Sequence, residues 1–147
     1  MFLKNYTSEV PVQKTISRIE QLLAESGASN VSKDYKDGKI VSLMFTVELN
    51  GRFINFKMPA DSGKIFEAMW KKVSRPHSGT RIKIAEQSER TAWKLLQDSL
   101  EVECTRLKLQ QTEFMQVFLP YVWDGEKTFY AALKESNFKK LLPASSE

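Results

Sequence analysis

Lys39-Ile40-Val41-Ser42-Leu43-Met44-Phe45-Thr46-Val47-Glu48-Leu49-Asn50-Gly51-Arg52-Phe53-Ile54-Asn55-Phe56-Lys57-Met58 is the stretch that decides the fold. Val41, Leu43, Phe45, Val47 and Leu49 recur at every second position, the period of a strand that lays one face on a core. Asn50-Gly51 supplies the two positive φ angles of a two-residue hairpin, and that register sets Ile54, Phe56 and Met58 beside the first set. The other face carries Ile40, Met44 and Phe53 with Thr46, Asn55 and Lys57. That is too apolar for a face simply washed by water, so a helix covers it or a partner uses it.

Working outward, Asp37-Gly38 is a second hairpin signal, and it predicts a third strand upstream. The strands fall near residues 30–36, 39–49 and 52–58, an antiparallel meander ended by Pro59. A two-residue loop at Asp37-Gly38 would place Val31 and Tyr35 on the second face. Before the sheet, Pro11 followed by Val12, Ile16, Ile19 and Leu23 at helical steps predicts a helix that stops at Gly27.

After the sheet, Asp61 or Ser62 caps a second helix whose stripe is Ile65, Phe66, Met69, Trp70 and Val73. Pro76 and Gly79 forbid helix through the loop that follows. A long third helix is expected over residues 85–118, with Trp93, Leu96, Leu100, Leu107, Phe114 and Phe118 on its main stripe. Leu95, Val102 and Leu109 repeat on nearly the opposite side, and a helix apolar on two sides must bury both. The cover is a second copy of the chain, as a homodimer, or the C-terminal helix. A turn at 121–125 and a short helix over 126–136, with Phe129, Tyr130 and Leu133, complete the chain. Helix, three strands and then three helices make an α+β arrangement, since no strand–helix–strand alternation is available for a parallel sheet.

The chain of 147 residues suits one domain spanning 1–147, with the sheet in 1–73, a basic loop at 74–84 and a helical part at 85–142. Its 41% hydrophobic and 27% charged residues are globular values. No run reaches the ~20 apolar residues of a membrane span, and the opening residues lack the apolar core of a signal peptide, so a cytoplasmic protein without membrane contact is expected. One cysteine and one histidine exclude an internal disulfide and Cys/His-rich metal sites.

Catalysis requires clustered groups, and the candidates stand apart. His77 lies in a loop with no evident nucleophile, and Cys104 sits mid-helix among Glu101, Glu103 and Arg106, which do not favour a thiolate. Glu86 with Glu89, and Asp98 with Glu101, are spaced to share a helix face, but basic and amide neighbours mark them as solvated faces. Asp124-Gly125-Glu126-Lys127-Thr128 contains G-x-K-T without the glycine spacing of a phosphate loop, and reads as a turn and helix cap. These residues predict a protein that is not an enzyme and has no metal or cofactor.

The charge distribution is more telling. The excess of 22 Lys+Arg over 18 Asp+Glu is small, yet residues 68–85 contain no acid and hold Lys71, Lys72, Arg75, Arg81 and Lys83. This pattern points to phosphate contacts, with Phe53 and Lys57 on the second sheet face as stacking and polar contacts, and Tyr35 as a further stacking ring. The alternative is that Phe53 and Tyr35 pack under a helix and the basic loop only solubilises the chain.

Val10-Pro11-Val12, Lys14-Thr15-Ile16 and Leu22-Leu23-Ala24 through Gly27-Ala28, together with Arg90-Thr91-Ala92-Trp93 and Val117-Phe118-Leu119-Pro120-Tyr121, resemble a family of small uncharacterised bacteriophage and prophage proteins. The similarity runs over about residues 8 to 133. It implies a mobile-element setting in a host cytoplasm and supplies no site residues. Two functions are therefore expected in competition: a phage or mobile-element accessory protein binding nucleic acid, single- or double-stranded, non-specifically through the basic loop; or a protein-binding inhibitor of a host defence system, without catalytic activity.

Overall fold

The computed structural model describes residues 2–144. Helix α1 (Val12–Glu25) follows Pro11, whose φ of −59° leads into the first turn, and ends where Gly27 takes φ +111°. Strands β1 (Ala28–Lys36), β2 (Lys39–Leu49) and β3 (Arg52–Pro59) form one antiparallel sheet in the order β1-β2-β3. Both hairpins turn on two residues with positive φ, Asp37 and Gly38 in the first and Asn50 and Gly51 in the second.

The β2–β3 register is the expected one: Leu43 pairs with Met58, Phe45 with Phe56 and Val47 with Ile54. Of these, all but Ile54 are buried. The β1–β2 register differs from the expectation. It is in step near the turn, where Tyr35 pairs with Ile40, but a bulge then slips it, so Asp34 pairs with Ser42 and Val31 with Phe45. One extra residue on β2 exchanges faces on either side of the bulge. Ile40, expected on the second face, packs against the core; Val41, expected in the core, is only half-buried; and Val31 joins the core rather than the second face.

The core lies between this face and the helices. The Phe45 and Phe56 rings stack with centroids 4.9 Å apart, and Phe118 meets Phe45 edge-on at 5.6 Å. Helix α2 (Gly63–Trp70) precedes α3 (Thr80–Lys108), and α1 packs along α3 through Ile16, Ile19, Leu22 and Leu23. At α2 the Asp61 carboxylate accepts from the Gly63 N–H at 3.0 Å, while Ser62 makes no side-chain cap.

The long helix is shorter and earlier than expected. It starts at Thr80, five residues ahead of 85, and stops at Lys108 because Gln110 adopts φ +59° and the Gln111 N–H donates back to the Arg106 carbonyl at 2.9 Å. A separate helix α4 (Phe114–Phe118) then opens with a capping box, Glu113 and Gln116 satisfying each other's backbone N–H groups. The break lets Phe114 and Phe118 turn back onto Phe56. After a 3-10 turn (Leu119–Tyr121), Val122 bridges to Phe56 at the outer edge of β3. The last α-helix, α5 (Phe129–Glu135), begins three residues later than expected because Asp124 holds the Glu126 and Lys127 N–H groups in a turn and Thr128 caps the helix at Ala131. The G-x-K-T run is thus a turn and a cap.

The segment before α1 is tied to α3 by polar contacts. Thr91 donates to the Asn5 carbonyl at 2.9 Å, Gln87 to the Ser8 carbonyl at 2.9 Å, and Asn5 to the Asp98 carboxylate at 2.9 Å. Burial opposes the Asp98 charge, but Asn5, Lys94 and Lys4 outweigh it and hold the carboxyl below its ordinary value of 3.8. A depressed carboxyl stabilises the fold above its ordinary value, and that contribution is lost as pH falls through the lower folded value. Melting temperature is therefore expected to drop below about pH 4, and Asp98→Asn should flatten that acid limb while lowering stability at pH 7. Circular-dichroism melts across pH 2.5 to 7 check this; parallel curves for the two proteins would refute it.

Candidate nucleic-acid interface

Exposure is the first requirement for a phosphate contact, and Lys71, Lys72, Arg75, Arg81 and Lys83 are all exposed. Lys71 and Lys72 lie just past α2 and Arg75 in the connection. Arg81 and Lys83, expected in a loop, stand instead on the first turn of α3, because the helix starts at Thr80. His77 accepts the Gly79 N–H on its Nδ1 at 3.3 Å, and its own N–H donates to the Thr80 hydroxyl at 3.0 Å, which shapes the turn into α3. Among the described residues, none of the five cations forms an ion pair with a carboxylate.

Two of them rest on aromatic rings. The Lys72 ammonium sits 3.9 Å from the Phe2 ring centroid, and the Arg81 guanidinium lies 5.0 Å from that of Phe66 and 5.6 Å from that of Trp70. Phe66 and Trp70, one turn apart on α2, hold their ring planes within 10° of parallel. Sequence reasoning assigned these two rings to a core stripe. No side chain of α2 is fully buried, since α3 covers only one flank of so short a helix. The signal available in the sequence was their position at the start of the acid-free span, Phe66 just before it and Trp70 inside it.

Phe53 and Lys57 are not brought to this surface. Phe53 is 67% exposed at the Asn50-Gly51 end of β3, with the length of the strand between it and α2. Lys57 is on the sheet face turned away from the core, 3.5 Å from the Asp34 carboxylate and 4.4 Å above the Trp123 ring, so its charge is already engaged. No helix covers Phe53 or Tyr35, which is 59% exposed. The expected second stripe of α3 is not closed by the described residues either. Leu95 is half-buried, but Val102 and Leu109 are 60% and 63% exposed, and α5 packs on the 3-10 turn instead of reaching them. Glu101, Thr105 and Arg106 lie around the same shallow groove as Val102 and Leu109, so the apolar strip is interrupted.

Of the residues weighed for catalysis, Cys104, Glu101, Glu89 and Asp98 have structural partners. Burial pushes the Cys104 thiol up, against a hydrogen bond donated by the Ser26 hydroxyl at 3.1 Å. Glu101 takes two hydrogen bonds from Arg18, at 2.6 and 3.0 Å, and that guanidinium holds its carboxyl below the usual range. Glu89 accepts from Lys39 at 2.8 Å. A groove of about 400 Å³ between α3 and α4 has Met58, Leu100 and Phe118 among its lining, and its one guanidinium, Arg106, is paired with Glu103 at 3.1 Å. Among the described residues no three His, Cys, Asp or Glu side chains gather as a metal site, and no helix is long and apolar enough to cross a membrane. Comparisons with family models, with curated proteins and with solved structures return no match to this chain.

Proposed function

We propose that the protein binds nucleic acid through the phosphate backbone at the α2–α3 junction, with little selectivity for base sequence. The observation that carries this reading is the group of five exposed cations, Lys71, Lys72, Arg75, Arg81 and Lys83, with no acid between residues 68 and 85. Phosphates offer such a surface charge and shape it can meet without reading bases, and no groove-reading motif is present to add specificity. In the mobile-element setting that the sequence resemblance implies, this activity would be a phage or mobile-element accessory role in the host cytoplasm; the proposal includes no cofactor and no catalysis. A second reading, inhibition of a host defence protein, rests on the open sheet face where Phe53 and Tyr35 stand exposed.

Among the described residues Lys71, Arg75 and Lys83, all exposed, lie over no aromatic ring as cations, so replacing all three by Ala removes charge with little effect on packing. Wild-type protein is expected to shift short DNA and RNA oligonucleotides at low salt. The triple variant should bind at least tenfold more weakly, with a shallower salt dependence, since each lost phosphate contact removes about 0.7 to 0.9 from the log–log slope. Folded wild-type protein that shifts neither DNA nor RNA at low salt would overturn this reading and favour the second.

A further inference from the structure

We infer that the nucleic acid bound at the α2–α3 junction is single-stranded, held by an unpaired base stacked on the composite surface of Phe66, Trp70 and Arg81; this rests on the phosphate-binding reading above. Cations alone do not distinguish a duplex from a single strand, because both present phosphates. Aromatic faces do, because a duplex keeps its bases inside the stack while a single strand can splay one out onto a ring.

The junction holds such faces beside the charge. Phe66 and Trp70 are parallel within 10° and lie 5.9 Å apart, and the planar Arg81 guanidinium is within 5.6 Å of both centroids. A guanidinium has five N–H donors, which suit it to phosphate. Among the described residues Arg81 donates no hydrogen bond, so its donors are not engaged within the protein. Beside Phe66 a groove of about 300 Å³ runs between α2 and α3, with Phe66, Arg81 and Ser62 in its lining. The one carboxylate in that lining, Glu89, is held by Lys39 and adds little repulsion. One site thus offers a stacking plane, a guanidinium and flanking lysines, the combination that favours an unpaired strand.

The test compares full-length wild type and Phe66→Leu, a substitution that keeps apolar volume and removes the π face, in binding a thymidine 12-mer and a 12-base-pair duplex at equal salt. Wild type is expected to bind the 12-mer at least tenfold more tightly than the duplex, with the fluorescence of Trp70 quenched. A Trp70→Phe variant should abolish the quench, because it removes the indole that reports the stacked base. Phe66→Leu should weaken the 12-mer about 5- to 100-fold and leave the duplex within twofold. Equal affinity for the two ligands, or undiminished 12-mer binding by a folded Phe66→Leu protein, overturns this inference and leaves the phosphate reading standing. Failure of the wild type to bind either ligand overturns both.

Discussion

Phe45→Asp is expected to abolish the native fold, leaving no cooperative thermal transition. Phe45 is 2% exposed, stacked on its cross-strand partner Phe56 and met edge-on by Phe118, so two other elements, β3 and α4, converge on its ring. Truncating a buried Phe costs about 3 to 5 kcal/mol from lost transfer energy and the cavity left behind. Aspartate adds an unpaired charge or, if protonated, an unsatisfied carboxyl where nothing can hydrogen-bond it, at several kcal/mol more. Domains of this size hold only about 5 to 15 kcal/mol in total. Far-ultraviolet circular dichroism during heating decides the matter, and a wild-type transition in the variant would show that the β2–β3 register is wrong.

Trp93→Ala should fold but melt well below wild type. Trp93 is 2% exposed near the middle of α3 and belongs to the same core cluster as Leu43, Phe45 and Leu100, so its loss opens the layer between helix and sheet. The expected cost is again about 3 to 5 kcal/mol. At roughly 2 to 4 °C per kcal/mol for a chain of this length, the midpoint should fall by about 10 °C. The half-buried Trp123 provides the contrast: Trp123→Ala removes a smaller buried area and a surface contact with Lys57, and should move the midpoint much less. A Trp93→Ala midpoint within about 2 °C of wild type would mean that this residue does not anchor the core.

Features that depend on near neighbours were legible in the chain. The alternation from Leu43 to Leu49 and the Asn50-Gly51 turn determined the β2–β3 hairpin and its pairing, since a slip by one residue would expose every apolar side chain on the buried face. Gly27 ended α1 because only a residue indifferent to positive φ ends a helix there without strain. The basic span was plain from composition, although its phosphate-binding role is a proposal.

The tertiary structure decided those matters where local preference was nearly balanced. Ile40 and Val41 are both apolar and β-branched; strict alternation with Leu43 chose Val41 for the core, and the bulge on β2 reversed that choice by turning Ile40 inward. The helical stripe continues past Lys108 in sequence, yet Gln110 takes a left-handed conformation that costs it some strain, because only a break there returns Phe114 and Phe118 to Phe56. The partnership of Arg81 with Phe66 and Trp70 was equally hidden. Periodicity assigns an aromatic stripe to the core, and only the packing of α2 against the start of α3 leaves those rings half-buried beneath a cation.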